Sequence, residues 1–320
     1  MSHPIAISLI VPTRERPDQL RRFLASVAAT ASRPEQLEVI LVTDDDDSAS
    51  AASSHPRLAI RPVVGPPGRT MGALNRAGYA ASTGKYVMLL NDDVVVRTRG
   101  WDRAVLRAAS RFPDGIALIH VNDTLIRDHL CTFPFVSRTF CELAGEICPP
   151  DYQRYRIDDH IEDVFNLLGW LGERRTVYLP DVVFEHLNSI EHPTAGRVYE
   201  SDPAILAADA PRFLAHFPAR KELALRLLEV IERESDSARM AARHTELATL
   251  TDPFSLRIPG RQLVLRAPFW KRHPGLLARA ASVGGRVRTR YQLSGLRGLL
   301  RALIRRATLA SPTPPQPVGE

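Results

Sequence analysis

Lys85-Tyr-Val-Met-Leu-Leu-Asn-Asp-Asp-Val-Val-Val96 is the stretch on which the reading of this chain turns. Tyr86 to Leu90 is apolar without alternation, the pattern of a strand buried on both faces rather than one. It delivers Asn91, Asp92 and Asp93 together, and a second apolar run, Val94 to Val96, follows at once. Adjacent carboxylates between buried runs are costly to desolvate unless a divalent cation, a basic partner or water compensates them. Taken alone, such a strand end reads as a turn capped by Asp and Asn. The flanking sequence therefore decides what it is.

Upstream, Ala6 to Val11 reads as a strand, and Pro12-Thr-Arg-Glu-Arg-Pro17 as a loop rich in hydrogen-bond donors. Leu20, Phe23, Leu24 and Val27 fall at helical spacing behind a Pro17-Asp18 opening. Leu37 to Val42 is a second buried strand, which makes a βαβ unit with parallel strands. This strand also ends in acid, Asp44 to Asp47. Arg57 to Val64 reads as a third strand, Gly65-Pro-Pro-Gly68 as a turn and Arg69 to Ser82 as a helix carrying Asn75.

Downstream, Trp101 to Phe112 reads as a helix and Ile116 to Val121 as a strand. Asn122 to Arg156 is irregular and holds aromatics, prolines and all three cysteines, as a substrate-facing insertion would. Ile157 to Gly172 is a predicted helix with Asp158, Asp159, Glu162 and Asp163 in its first turns, where the helix dipole tolerates acids. Thr176 to Leu179 and Val182 to Phe184 read as strands around Pro180-Asp181, closed by Glu185-His186. Strands alternating with helices, with polar groups gathered at strand ends, predict an α/β fold whose ligands sit at the carboxyl edge of an open sheet.

At 320 residues and 44% hydrophobic content, the chain can bury a full core. The net charge of +6 suits an anionic partner, and nearly every basic residue is arginine, the lysines being Lys85, Lys221 and Lys271. Three cysteines without a Cys-x-x-Cys pair argue against a disulfide scaffold or zinc site and fit a reducing compartment. Met1 to Val11 lacks a basic leader, and no apolar run approaches membrane-spanning length, so the expectation is a soluble, cytoplasmic protein. The expected domains are 1–211, a catalytic α/β domain; 212–310, a helical extension; and 311–320, a proline-rich disordered tail. The extension is strongly basic from Arg261 to Arg306, which suits peripheral contact with an anionic membrane face, self-association, or simple coverage of the main domain.

Acid clusters thus end two predicted strands and open one helix, and a histidine ends a late strand. Carboxylates with one imidazole suit Mn²⁺, or Mg²⁺ with waters. Taken singly, each has a plainer reading: Asp44 to Asp47 as a solvated loop, the acids of 158–163 as helix-dipole partners, His186 as a hydrogen-bonded histidine.

The ordered set, strand–Pro-Thr-Arg, strand–Asp-Asp, Gly68-x-x-x-x-x-x-Asn75, the opening stretch and strand–His186, resembles family 2, GT-A-fold glycosyltransferases over roughly residues 5–209. The resemblance implies a Rossmann-like open mixed sheet flanked by helices, and transfer of a sugar from a nucleotide-sugar donor to a saccharide, lipid-linked or other hydroxyl acceptor. It implies a donor site of Thr13, Arg14, Asp44 or Asp45, Asn75, Asn91 and Asp92; Arg69 is a further donor-site candidate, as is Lys85 as a phosphate contact, although lysine before a strand is commonplace. It also implies a divalent metal (Mn or Mg) on Asp93 and His186, and a general base among Asp158, Asp159 and Asp163, with Asp159 foremost. Asn91 stands where the family more often has aspartate, and the run Asp44 to Asp47 is longer than the usual Asp-Asp-Gly-Ser. Two other readings compete. A nucleotidyltransferase is disfavoured because no glycine-rich, lysine-containing phosphate loop follows the first strand. A nucleic-acid or anionic-surface binder acting through the basic C-terminus is disfavoured because that region has few aromatics and acids crowd the main cleft.

Overall fold

The computed structural model describes residues 4–187, 203–232, 237–250 and 263–264. Contacts divide the chain into residues 1–266 and 267–320, and every described residue lies in the first unit. Apart from 263–264, the basic stretch 261–306 and the tail 311–320 fall outside the described residues.

The elements in chain order are β1 (Ile7–Pro12), α1 (Pro17–Thr30), β2 (Leu37–Asp44), α2 (Ser48–Ala51), β3 (Ala59–Gly65), α3 (Met71–Ala81), β4 (Tyr86–Leu89), β5 (Val94–Val96) and α4 (Trp101–Ala109). Then come β6 (Leu118–Asn122), β7 (Phe135–Ser137), α5 (Arg138–Ala144), α6 (Ile157–Trp170), β8 (Thr176–His186), α7 (Pro203–Ala215), α8 (Phe217–Glu232), α9 (Ser237–Ala248) and β9 (Leu263–Val264). The sheet runs β3-β2-β1-β4-β7-β6-β8-β5, with β9 paired to β8. β1 pairs parallel with β2 and β4, β7 runs antiparallel to β4 and β6, and β5 runs antiparallel to β8. This is the open mixed sheet flanked by helices that the resemblance implied.

Strand alternation explains the layers. Ile10, Ile40, Val42, Val87 and Leu89 project into one core with α5, α6 and α8, while Ile7, Leu9, Val11 and Met88 project into a second core with α1 and α4. Fully burying each such side chain is worth about 1.5–3 kcal/mol before entropy is counted. Two clusters of buried residues therefore sandwich the sheet, and β1, β2 and β4 lack the alternation of a half-exposed strand.

One buried acid interrupts that pattern. Glu38 in β2 is 5% exposed, and its Oε1 accepts from the Ser8 hydroxyl at 2.6 Å and the Thr83 N–H at 2.5 Å. Gly84 makes this junction possible, because a Cβ there would lie 2.5 Å from Ser8 Oγ and 2.7 Å from Ser8 N. The bonds fasten β1, β2 and the entry to β4 at their amino-terminal ends.

The structure differs from the sequence expectations in three places. Thr176–His186 is one strand rather than two, because Pro180-Asp181 forms a bulge: Val121 pairs with Leu179, and Asn122 next pairs with Val183. The irregular segment 122–156 contains β7 and α5, the former only three residues long and without a period to read. Helix α7 runs across the expected boundary at 211, and α8 contributes Leu223, Ala224, Leu227 and Leu228 to the core beside α6.

Candidate active site

The carboxyl ends of β1 and β4 lie side by side, since Ile10 registers with Leu89 and Leu90 N–H donates to Ile10 O. The loop after β1 therefore faces the acids after β4. Thr13 Oγ1 donates to Asp92 Oδ2 at 2.7 Å, and Arg16 Nη1 donates to Asp92 Oδ1 at 3.0 Å. Asp92 is 4% exposed, and burial pushes its pKa up, against the opposing pull of Arg16 and the Thr13 hydroxyl. Arg16 was not among the expected site residues, although it belongs to the donor-rich loop Pro12–Pro17.

Beside this pair, Asp44 at the end of β2 sits between two guanidiniums. Arg14 bonds Asp44, and Arg69 Nη2 reaches Thr43 O at 2.7 Å and Asp44 Oδ1 at 3.4 Å. Arg14 also grips Asp46 through two bonds of 2.8 Å, which hold that carboxyl below its usual range and raise the arginine. Asp47 turns inward, accepting from Glu15 N at 2.6 Å and capping α2 through Ser50 N at 3.1 Å. Asp45 is exposed. The four aspartates thus divide into one clamped between arginines, one exposed, one paired at the surface and one structural.

Asn75 is buried in the second turn of α3, and no hydrogen bond among the described residues joins it to these acids. Lys85 must be corrected. It is exposed at the amino-terminal end of β4, where its N–H donates to Ile5 O, and the whole strand separates it from Asp92. Five residues of strand span about 16 Å. Neighbours in sequence here lie at opposite edges of the sheet.

Asp93 meets His186 because β5 and β8 pair antiparallel with Val94 opposite His186, and Leu187 N–H donates to Asp93 O at 2.8 Å. His186 Nε2 lies 3.2 Å from Asp93 Oδ1 and 3.4 Å from the Asn91 side-chain nitrogen. The imidazole packs edge-to-face with buried Phe133, with ring centroids 5.3 Å apart. Asp93 Oδ1 is itself buried and makes no hydrogen bond. A carboxylate oxygen and an imidazole nitrogen held this close repel unless a proton or cation lies between them. Adjacent ligands of an octahedral cation, each at about 2.1 Å, are about 3 Å apart, so the pair fits a divalent ion. Among the described residues no cluster of three acidic, histidine or cysteine side chains forms around a point.

The acids of α6 separate in space. Arg156, left-handed at φ 71°, starts the helix and pairs with Asp159 at 3.3 Å. Asp158 Oδ1 accepts from Asp159 N at 2.9 Å, and burial, then the neighbouring Asp159 charge, pushes Asp158 up to about 7. Glu162, a turn later, accepts from Cys131 N at 3.0 Å, so this flank of the helix faces the loop that carries Asp123 and Phe133. Asp123 O in turn accepts from His186 N at 3.1 Å. Asp163 is a second correction: it is buried and bonded to Arg220 Nε at 2.7 Å, a structural pair between α6 and α8. The i, i+4 spacing from Asp159 was sound, but α8 covers that part of the helix.

Two residues without a sequence signal hold the site's frame. Asp209, fully buried in α7, accepts from the backbone N–H groups of Gln153, Arg154 and Tyr155 at 2.8–2.9 Å, just before α6. Asp123 does the same for Leu125, Ile126 and Arg127 at 2.7–3.0 Å.

Residues 8–128 match the family model described as Glycosyl transferase family 2. No curated protein matches the chain. Solved structures with a similar course include the mannosyltransferase PcManGT from Pyrobaculum calidifontis in complex with GDP-Man and Mn²⁺, at 16% identity and TM-score 0.49, over 95% of this chain and 81% of that one. S. aureus TarS is similar at 12% identity and TM-score 0.48, over 73% of this chain and 45% of that one. TarS 1–349 in complex with UDP is similar at 13% identity and TM-score 0.43, over 80% and 76%. The segment that carries Thr13, Asp44 and Asn91-Asp92-Asp93 thus has the sequence pattern of Glycosyl transferase family 2.

Proposed function

We propose that this protein is a glycosyltransferase that moves a sugar from a nucleotide-sugar donor to an acceptor hydroxyl, with inversion and with a divalent cation. The observation that carries the reading is the meeting of two pairs, Asp92 with Thr13 and Arg16, and Asp93 with His186, at the carboxyl edge of the sheet.

Asp44, held between Arg14 and Arg69, and Thr13 offer fixed donors and acceptors to a nucleoside. Asp92 keeps lone pairs for the ribose or donor sugar after its two internal bonds. Asp93 and His186 would hold Mn²⁺ or Mg²⁺, which would neutralise the diphosphate as it departs. Across the cleft, a carboxylate at the start of α6 takes the proton of the acceptor hydroxyl as its oxygen bonds to the anomeric carbon. The bond from that carbon to the phosphate oxygen breaks on the opposite side, and the nucleoside diphosphate leaves. Asp158 suits this role better than Asp159, because its raised proton affinity makes it a stronger base near neutral pH and Arg156 does not hold it.

Such a reaction serves polysaccharide or glycoconjugate synthesis. The basic stretch 261–306 would suit an acceptor presented at an anionic surface, with the protein peripheral on the cytoplasmic face. No described helix is long and apolar enough to cross a membrane.

The test is incubation of the full chain with a panel of nucleotide sugars, Mn²⁺ and saccharide acceptors, following free nucleotide. Release that disappears in Asp93→Ala supports the reading. Absence of both turnover and binding across the panel, or full activity in Asp93→Ala, refutes it.

A further inference from the structure

The connection between β6 and β7 turns back on itself around one carboxylate. Asp123 is buried, and its Oδ1 accepts from the N–H groups of Leu125, Ile126 and Arg127 while Oδ2 accepts from the Thr132 hydroxyl at 2.8 Å. Thr124 and Arg127 are left-handed, at φ 72° and 60°, a conformation unfavourable to residues that carry a Cβ. The bonds to Asp123 offset that cost and fix the two ends of the 123–132 loop against each other.

This loop holds His186 from two directions. The Asp123 carbonyl accepts from His186 N–H at 3.1 Å, which fixes the backbone of the histidine where it pairs with Val94. Thr132, tied to the Asp123 carboxylate, is followed by buried Phe133, whose ring packs edge-to-face with the imidazole. Asp93 belongs to a different segment, the turn between β4 and β5. The 3.2 Å between His186 Nε2 and Asp93 Oδ1 therefore depends on two segments, and Asp123 governs the placement of one of them. On its other side the loop is anchored to α6, where Glu162 Oε2 accepts from Cys131 N at 3.0 Å, four residues after Asp158.

We propose that Asp123 is a positioning residue: through the backbone and ring of His186 it sets the spacing of the Asp93–His186 pair for a divalent cation, and the bound cation in turn steadies the 123–132 loop. This rests on the reading of Asp93 and His186 as the cation pair. The Asp123 carboxylate is engaged by four donors of its own loop and acts through His186 rather than on the cation. Partners that orient a metal ligand commonly change affinity about 10–100-fold when removed. The coupling is reciprocal: if the ordered loop favours the cation by some factor, the cation favours the ordered loop by the same factor.

The test combines calorimetric titration of Mn²⁺ into the full chain, without nucleotide or acceptor, with hydrogen exchange at residues 125–127. Wild type should bind Mn²⁺, and saturating metal should slow exchange of those amides at least about tenfold. In Asp123→Ala, Mn²⁺ should bind at least about tenfold more weakly, and exchange at 125–127 should be fast with or without metal. Asp123→Asn keeps an accepting oxygen for the three N–H groups and offers a donor to the Thr132 hydroxyl, so its Mn²⁺ affinity should return to within about threefold of wild type. Thr132→Val removes a single bond beside Phe133, which secures a folded variant, and should lower Mn²⁺ affinity about threefold. Wild-type affinity in both Asp123→Ala and Thr132→Val overturns the proposal and leaves the cation pair standing, as does wild-type exchange at 125–127 that ignores bound Mn²⁺. Binding as weak in Asp123→Asn as in Asp123→Ala assigns the effect to the charge of Asp123 and overturns it too. No Mn²⁺ binding by wild type removes the cation reading itself, and the proposal with it.

Discussion

Asp163→Asn separates a structural from a chemical role for the acidic face of α6. Asp163 is 4% exposed and Arg220 1%, with Nε and Oδ2 2.7 Å apart. At an effective dielectric of about 20, that separation corresponds to a gross attraction of about 6 kcal/mol, most of it offset by desolvation of both groups. Breaking such a pair from one side leaves a charge buried and costs about 3–5 kcal/mol. The asparagine oxygen can still accept from Nε, which recovers about 1 kcal/mol. The expected loss is therefore about 2–4 kcal/mol, or roughly 5–15 °C in Tm for a unit of this size. Urea unfolding followed by far-UV circular dichroism would measure it. Activity per folded molecule should stay within about threefold of wild type, since Asp163 faces α8 and not the cleft. The double variant Asp163→Asn/Arg220→Met should be no less stable than the worse single change, because no charge is then stranded. A stability loss under about 0.5 kcal/mol, or lost activity at unchanged stability, would refute this reasoning.

Three other outcomes follow from the same geometry. Asp158→Asn should cut transfer by at least about a hundredfold, and wild-type transfer should rise with pH through about 7 as the base loses its proton. Because the folded state holds that proton to a higher pH than the unfolded chain, wild type should lose stability relative to Asp158→Asn as pH climbs from about 4 to about 7. Asp93→Ala and His186→Ala should each weaken Mn²⁺ binding at least about tenfold by calorimetry while leaving the melting curve nearly unchanged, since both side chains are partly exposed. Asp209→Ala strands three backbone N–H groups and should cost about 2–3 kcal/mol, with hydrogen exchange accelerating at residues 153–155; unchanged exchange there would count against its clasping role.

What the sequence revealed was local. Tyr86 to Leu90 declared itself because burial on both faces removes alternation, and the acids at the ends of β2 and β4 followed from chain order alone. The partners of those acids could not be read the same way. Thr13 and Asp92 are 79 residues apart, and only the β1–β4 register brings them together. Lys85 misled because it adjoins the decisive stretch in sequence but sits at the other edge of the sheet. Asp163 misled because helical spacing predicts direction but not what packs there, and Arg220 arrives 57 residues later. Arg16 was legible in kind, as a donor in a donor-rich loop, but not in its target. Asp209, an isolated acid in an alanine-rich helix, had no pattern to betray it.

That 57-residue separation also has a meaning in time. At about 5–20 residues per second, a ribosome needs about 3–11 s to add Arg220 after Asp163. During that interval β1 to β4 and the acids at their ends are already synthesised, while Asp163 in α6 awaits Arg220 and the 153–155 backbone awaits Asp209. The nascent chain can therefore assemble the half proposed to face the nucleotide first, but the helix proposed to carry the base is secured only when α7 and α8 emerge. A pause in translation before Arg220 would prolong an intermediate with an unsecured α6 and an uncovered apolar face, the species from which aggregation of this protein should begin.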